Sequence, residues 1–317
     1  MKIKHITHTD LDGIGCNILL RSIISDVDAE FVNYGEVDET VMNFLEKDWS
    51  EGHEILFITD LSVSEKTARY IERFHHERVY LLDHHPTALH LNDYFFATVH
   101  IENQQKKPTC GTEMVFQFLN DESSHFDDFS VLSTDTARKF VELVRLYDTW
   151  DWKTDEENGI NARNLNRLHE IMDQEDFIEM RLDLLFQAIN TEPPIFTEFE
   201  QLLLDLEEKK IQEYLDDRLS TMTIHQLLGN TIGVVYASQY HSELGNYLCL
   251  KSPEIDFCLL INLEKGSASL RSVKDDVHLG KEIALHFGGG GHQKAAGFQL
   301  SDAINEKVFE LVTKNGY

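Results

Sequence analysis

The first half of the chain alternates short apolar runs with amphipathic stretches. Apolar runs of roughly four to eight residues predict strands, and apolar positions three and four apart predict helices. The predicted strands here are Lys2–Thr7, Ala29–Tyr34, Glu54–Thr59, Arg78–Leu82 and Phe95–His100. The predicted helices are Asp12–Ile24, Val41–Leu45, Ser64–Phe74, Thr112–Asn120 and Thr134–Tyr147. This alternation predicts an α/β fold in which helices cover both faces of a parallel sheet.

The second half has a different pattern. Apolar positions keep helical spacing from residue 164 to residue 219, with an interruption at Pro193-Pro194. We expect the helix after this interruption, Phe196–Leu219, to bridge two domains, because 317 residues is long for one domain. A β-rich segment follows. Its predicted strands are Thr231–Ala237, Asp256–Leu263 and Ala268–Val273, and Lys307–Lys314 is predicted to be a closing helix.

Composition and charge exclude several classes of protein. The chain has 28 Lys and Arg against 56 Asp and Glu, a formal charge of −28. A protein that holds long duplex DNA needs a basic face, so we expect no such partner, whereas short phosphorylated substrates remain compatible. The four cysteines form no CxxC pair, which favours reduced thiols in the cytoplasm. We see neither a secretory leader nor a run of about 18 apolar residues, so we expect no membrane association.

Acidic and imidazole side chains follow three of the predicted strands at the point where each strand ends. These residues are His8, Asp10, Asp12, Asp60, Asp83, His84 and His85. Because the carboxyl ends of parallel strands meet at one edge of a sheet, we expect these side chains to lie close together. Asp148, directly after a predicted helix, is a further candidate of the same chemistry.

Each of these residues also has an ordinary structural explanation. Asp10 or Asp12 can cap the following helix, Asp60 can be a turn residue, and the Asp83-His84-His85 triplet can be a polar turn. Together they favour a metal site, because carboxylates and imidazoles without thiolates suit Mn²⁺ or Mg²⁺, and also Zn²⁺ or Co²⁺. The ligands are too many for one ion. We predict two ions, roughly 3.5–4 Å apart, that activate a water for attack on phosphorus.

The chain resembles the DHH phosphoesterase superfamily, in the branch with a C-terminal DHHA1 domain. That branch includes RecJ-type exonucleases, nano-RNases and cyclic-dinucleotide phosphodiesterases. The matching motifs are HTDLDG at residues 8–13, the acid of ITD at Asp60, Asp83-His84-His85, Asp148, and GGGGH at Gly288–His292. The resemblance implies a DHH metal-binding catalytic domain over residues 1–190, a helical linker over 191–222 and a smaller α/β DHHA1 domain over 223–317.

The resemblance also implies individual roles at the metal centre. One metal ion would be bound by His8 and Asp10, with Asp60 as the bridging ligand. The second would be completed by Asp12, His84 and Asp148. His85 would meet the substrate phosphate, and Asp83 would orient a neighbouring histidine.

In the second domain the resemblance implies phosphate contacts. The residues are Arg271, Gly289, Gly290, Gly291 and His292. From the residues alone, the glycine run is either an anion-binding nest of N–H groups or a flexible turn, and Arg271 is either a phosphate ligand or a surface ion-pair partner.

These features predict a cytoplasmic, Mn²⁺-dependent phosphodiesterase that hydrolyses short RNA oligonucleotides, as a monomer or homodimer. Alternatives within hydrolases are a 3′-phosphoadenosine 5′-phosphate phosphatase, a linear or cyclic dinucleotide phosphodiesterase and an exopolyphosphatase-like enzyme. A nucleotide sensor without turnover is the non-enzymatic alternative.

Overall fold

The computed structural model describes residues 1–49, 52–121 and 130–300. The chain divides into two compact units, Met1–Leu204 and Asp205–Tyr317. The predicted closing helix Lys307–Lys314 lies outside the described residues. Within the described ranges, no helix combines the length and the apolar character that crossing a bilayer demands.

The first unit is built on a five-stranded sheet in the order β2-β1-β3-β4-β5. Its strands are β1 Lys2–Thr7, β2 Asp26–Phe31, β3 Ile55–Thr59, β4 Val79–Asp83 and β5 Ala97–Val99. All neighbouring strands are parallel, so their carboxyl ends share one edge. The central strands β1, β3 and β4 are buried on both faces, as in a covered parallel sheet. Strands β3 and β4 are largely apolar, whereas β1 also buries Lys4, His5 and Thr7.

Helices cover both faces of this sheet. They are α1 Leu11–Ile23, α2 Val37–Asn43, α3 Glu65–Phe74, α4 Gly111–Asp121, α5 Asp135–Asp148, α6 Gly159–Ile171 and α7 Gln174–Gln187. One apolar core packs α1 and α4–α7 against the sheet, and a second packs α2 and α3 against the opposite face. The predicted α/β fold with helices on both faces is confirmed.

Some predicted boundaries are displaced. The strand expected over Ala29–Tyr34 runs over Asp26–Phe31 instead, as a partly exposed edge strand with a weak apolar signal. The helix expected over Val41–Leu45 starts at Val37 and continues into a π-helical turn, Phe44–Asp48. A long helix, α8 Glu198–Thr221, follows the proline pair and includes the division between the units.

The second unit contains a mixed six-stranded sheet in the order β10-β11-β9-β8-β7-β6. Its strands are β6 Thr223–Leu227, β7 Asn230–Tyr236, β8 Phe257–Asn262, β9 Ser267–Arg271, β10 Gly290–Gly291 and β11 Ala295–Gln299. Only β7 and β8 pair in parallel among these strands, and helix α9 His241–Lys251 connects them. This is the expected smaller α/β architecture.

Three elements of the second unit, β6, β11 and α9, were not predicted from the sequence. Strand β6 is almost entirely exposed, so it has no alternation of apolar and polar positions. Strand β11 is short and contains Gly297. Helix α9 contains Gly245, where an added Cβ would lie 2.3 Å from Arg271 Cγ, so glycine is required by this close approach.

Candidate active site

The carboxyl edge of the first sheet gathers the predicted site residues. The aligned residues of β1, β3 and β4 are Thr7, Thr59 and Leu82. The residues that follow them are His8, Asp60 and Asp83. Strand pairing alone therefore places three ionisable side chains beside each other, as the sequence predicted.

His8, Asp10 and Asp60 form the first group of potential metal ligands. His8 Nδ1 lies 2.8 Å from Asp10 Oδ2 and 3.8 Å from Asp60 Oδ2. Neither contact has the geometry of a hydrogen bond, so His8 Nδ1 and Asp60 Oδ2 are buried without a hydrogen bond despite these short distances. Buried polar atoms that lack a partner are costly, and a cation held between them would remove that cost.

Asp10 also caps helix α1, because its Oδ1 accepts a hydrogen bond from Gly13 N at 3.1 Å. Burial by itself would raise the pKa of Asp10. The contact with His8 and the Gly13 N–H outweigh burial and lower that pKa to about 2. The Asp10 carboxylate can therefore serve both roles, because Oδ1 caps α1 while Oδ2 faces His8 in the ligand group.

Asp12, His84 and Asp148 form a second group. His84 Nε2 lies 3.6 Å from Asp12 Oδ2 and 3.6 Å from Asp148 Oδ2. It also lies 3.2 Å from Asp60 Oδ1. The Asp60 carboxylate thus lies between the two histidines, with one oxygen toward each group.

Asp60 adopts a left-handed backbone conformation, with φ of 55°. For a residue other than glycine this conformation costs on the order of 1 kcal/mol or more. The Asp60 N–H donates to Leu82 O at 3.0 Å, which fixes the turn at the strand end. The strained turn directs the carboxylate into the centre of the site, where it is 1% exposed.

Asp12 has a structural task that reaches far along the chain. Its carboxylate accepts hydrogen bonds from Gly111 N at 2.6 Å and Thr112 N at 2.8 Å, at the start of α4. Thr112 Oγ1 donates to the Asp12 carbonyl at 2.7 Å. Asp12 is 2% exposed, so these bonds are made out of water. The expectation that Asp10 or Asp12 caps its own helix holds for Asp10, whereas Asp12 caps a helix about a hundred residues later.

Asp83, His85 and Tyr34 form a hydrogen-bonded chain at the same edge. Asp83 is fully buried, and its Oδ1 lies 2.7 Å from His85 Nδ1. The same oxygen accepts from His84 N at 2.8 Å, so Asp83 fixes both neighbouring histidines. The hydrogen bond to Asp83 raises the pKa of His85 above its usual value. His85 Nε2 lies 3.1 Å from the Tyr34 hydroxyl.

The site concentrates negative charge, and two carboxyl groups respond to it. Burial, followed by repulsion from Asp12 and Asp10, raises the pKa of Asp60 well above the ordinary range. The same causes raise the pKa of Asp148 to about 8. Bound divalent cations would reverse this electrostatic cost, since they neutralise the carboxylates that otherwise repel one another. The donor set and its charge therefore fit metal ions.

Two residues near this site were missed by the sequence reasoning. Tyr34 follows an edge strand and had no accompanying polar motif. His5 lies inside β1, is fully buried, and contacts Thr59 Oγ1 at 2.8 Å and Asn17 Nδ2 at 3.0 Å. Burial lowers the pKa of His5 to about 3, so it is a neutral structural residue beneath the site. Because β1 contains several polar residues, nothing in the sequence sets His5 apart.

The predicted phosphate contacts lie in the second unit. Arg271 ends β9, and its guanidinium Nη1 donates to Leu270 O at 2.9 Å, with Nη2 3.4 Å from Ser242 Oγ. Gly290 and Gly291 form β10, and His292 is exposed just beyond it. The Arg271 and Gly288–His292 segments meet through β11, which pairs with both β9 and β10.

The glycine loop makes several backbone hydrogen bonds within the second unit. Gly288, with φ of 75°, ends a 3₁₀ turn, and Gly291 has φ of 140°. The N–H groups of Gly288, Gly289 and His292 donate to carbonyls of Leu285, Ala284 and Ala295. An anion nest built from these three N–H groups would have to break those bonds. The exposed His292 side chain and Arg271 are the more accessible donors.

Comparison with known proteins places this architecture in a described class. Residues 2–143 match the model of the DHH family, N-terminal domain. The chain belongs to the DHH family. The family predicted from the motifs is therefore confirmed.

The relatives include two named enzymes. The chain is 34% identical over 305 residues to Oligoribonuclease NrnB of Bacillus subtilis, covering 95% of this chain and 73% of that relative. It is 24% identical over 337 residues to a 3′,5′-cyclic-nucleotide phosphodiesterase of Helicobacter pylori, covering 95% of this chain and 93% of that relative. Among solved structures, exonuclease RecJ bound to manganese has a TM-score of 0.55 at 14% identity, covering 96% of this chain and 86% of that one. The similarity to this RecJ structure concerns the fold alone.

Proposed function

We propose that this protein is a metal-dependent phosphoric ester hydrolase that cleaves short RNA oligonucleotides in the cytoplasm. The observation that carries the proposal is the pair of neighbouring ligand groups at the carboxyl edge of the sheet: Asp60 belongs to the group of His8 and Asp10, and its other oxygen lies 3.2 Å from His84 of the second group. The relative named Oligoribonuclease NrnB, at 34% identity, supports the choice of substrate. The acidic chain, with its formal charge of −28, favours short substrates over long duplexes.

We assign the ligands of two Mn²⁺ ions to these groups. His8 and Asp10 would hold the first ion, Asp12, His84 and Asp148 would hold the second, and Asp60 would be available to both. The buried His8 Nδ1 and Asp60 Oδ2, which make no hydrogen bond, support this assignment, as does the position of the Asp60 carboxylate between two imidazoles. Oxygen and imidazole donors also suit Mg²⁺, Co²⁺ and Zn²⁺, so Mn²⁺ is a choice supported by the RecJ fold neighbour.

When bound, the two cations supply an activated water and neutralise charge on the phosphoryl group. The residues of the chain prepare the site for them. Asp83 holds the His84 backbone and the His85 ring, so that the imidazoles keep fixed directions. The His85 ring, with a raised pKa, is a suitable donor to a phosphate oxygen. Asp148 and Asp60 would hold a cation as deprotonated carboxylates.

The second unit contributes the remaining phosphate contacts in this proposal. Arg271 suits the task because a guanidinium binds phosphate through two parallel hydrogen bonds. His292 adds a second donor, next to Gly289, Gly290 and Gly291; of these three glycines, Gly290 has open space beside its backbone. Because the proposed metal ligands lie early in the chain and the proposed phosphate contacts lie late, we propose three functional segments. They are a catalytic domain over residues 1–190, a linker over 191–222 and a substrate-binding domain over 223–317. A monomer or homodimer is compatible with this proposal.

The test uses the full chain with labelled RNA dimers to pentamers and Mn²⁺. We expect mononucleotides to appear, to be absent in EDTA, and to be lost in Asp60→Asn. Asp26→Asn is the matched control, because Asp26 is an exposed acid at the opposite end of the sheet. If wild type releases no mononucleotide from any of these RNAs, the substrate assignment is wrong.

A second candidate is hydrolysis of a 3′,5′-cyclic nucleotide, the substrate in the name of the Helicobacter pylori relative. Assaying cyclic nucleotides, 3′-phosphoadenosine 5′-phosphate and polyphosphate in parallel separates these substrates by product. If no substrate is turned over while wild type and Asp60→Ala both bind nucleotide, the protein is a sensor.

A further inference from the structure

Tyr34 stands at the candidate active site without an assigned role. It follows β2, and its side chain is 54% exposed. The hydroxyl lies 3.1 Å from His85 Nε2, and the ring centroid lies 4.6 Å from that of His8. One phenol thus contacts a candidate metal ligand through its ring and a candidate phosphate donor through its hydroxyl.

The contacts of His85 show what the hydroxyl does. Asp83 Oδ1 lies 2.7 Å from His85 Nδ1, and a carboxylate only accepts hydrogen bonds, so Nδ1 carries a hydrogen. Nε2 then either accepts from the Tyr34 hydroxyl or, in the imidazolium form, donates to its oxygen. In both forms the ring is held at both nitrogens. Tyr34 is the outer of the two partners, since Asp83 is fully buried.

Asp83 and the Tyr34 hydroxyl together fix the direction in which the His85 ring points, because they hold its two nitrogens from opposite sides. We propose that Tyr34 is a positioning residue of the hydrolytic site. Its hydroxyl keeps the His85 ring directed toward the substrate phosphate, and its ring supports the orientation of His8. This inference rests on the proposed hydrolase function for its kinetic consequences, but its structural consequences can be measured without turnover.

The first test compares Tyr34→Phe with wild type on a short RNA. Tyr34→Phe keeps the ring on His8 and removes only the hydroxyl. We expect kcat to fall about fivefold with KM nearly unchanged, roughly the effect of one net hydrogen bond. A hydroxyl that merely competes with phosphate for His85 would instead give a lower KM and an unchanged kcat, which would overturn the proposal.

A double-mutant comparison tests whether the hydroxyl acts through His85. In the His85→Ala background, Tyr34→Phe should have no further effect on kcat, because the residue that it positions is gone. If the two substitutions multiply, the hydroxyl acts on something other than His85, and the proposal is wrong.

Two further measurements need no enzymatic turnover. Diethylpyrocarbonate modifies unprotected imidazole nitrogens, so His85 should be labelled faster in Tyr34→Phe, as read by peptide mass spectrometry. The control is Tyr236→Phe, an exposed tyrosine of β7 in the second unit. Mn²⁺ titration by calorimetry should give unchanged affinity for Tyr34→Phe and weaker binding for Tyr34→Ala, which also removes the ring from His8.

These measurements separate the two proposals. If wild type hydrolyses no substrate, the proposed function fails, while His85 labelling and Mn²⁺ binding still decide the role of Tyr34. If hydrolysis is found but His85 labelling is the same in wild type and Tyr34→Phe, the positioning role is rejected and the proposed function stands.

Discussion

Asp12 is both a candidate metal ligand and the residue that caps α4. Its role as a cap leads to a quantitative prediction about the metal-free protein. Asp12→Ala removes the acceptors of the Gly111 and Thr112 N–H groups at the start of α4. Each buried donor left without a partner costs about 1–3 kcal/mol, so we expect a loss of roughly 2–6 kcal/mol. For a unit of this size, that corresponds to a fall in Tm of roughly 5–20 °C. Asp12→Asn keeps an amide oxygen that can accept one of the bonds, so its loss should be about half as large.

Asp148→Ala is the matched comparison. Both substitutions remove a candidate metal ligand and relieve repulsion in the acidic site, because Asp12 and Asp148 both raise the pKa of Asp60. Among the described residues no backbone N–H donates to Asp148, so Asp148→Ala leaves no amide unpaired. Any difference in stability between the two variants therefore reports the helix cap.

The assay is thermal unfolding followed by circular dichroism, with EDTA present so that metal binding does not contribute. Asp12→Ala should unfold well below wild type, and Asp148→Ala should unfold at or above the wild-type temperature. Equal Tm values for Asp12→Ala and Asp148→Ala would refute the reasoning that the Asp12 carboxylate stabilises α4. Both variants should lack Mn²⁺-dependent hydrolysis in the same preparations.

The remaining predictions concern pH, packing and a buried ion pair. The pKa of Asp148 is raised from 3.8 to about 8, so the folded protein retains a proton that the unfolded chain releases. Its Tm in EDTA should therefore fall as pH rises from about 4 to 8, and Asp148→Asn should flatten that slope; an unchanged slope would contradict the raised pKa. Gly13→Ala should lose Mn²⁺ affinity in calorimetric titration, because an added Cβ would lie 2.3 Å from the His8 carbonyl oxygen. An affinity equal to that of wild type would show that the turn shifts to make room for the Cβ. Arg181→Ala leaves the ion-pair partner Glu200 buried and uncompensated, so urea unfolding should show a loss of about 3–5 kcal/mol. A loss under 1 kcal/mol would mean that Glu200 is protonated or solvated in the variant.

Much of the fold followed from the sequence because its signals are local. The apolar runs that form β3 and β4 are buried on both faces of a parallel sheet, so they stand out from their neighbours. Strands β2 and β6 were misplaced or missed because both are exposed, and an exposed edge strand has little hydrophobic pattern. Helix α9 was missed because a glycine that packs against Arg271 lies inside it.

The sequence by itself determined the chemistry of this protein: which side chains follow which strands, and hence that carboxylates and imidazoles gather at one sheet edge. Parallel pairing makes this inference possible, because it aligns the ends of strands that are distant in the chain. Tertiary structure alone decided how each side chain is used. The Asp12 carboxylate caps α4 across about a hundred residues, and Tyr34 reaches His85 across 51 positions. Such contacts depend on how helices and loops pack in three dimensions, and no local pattern of residues encodes them.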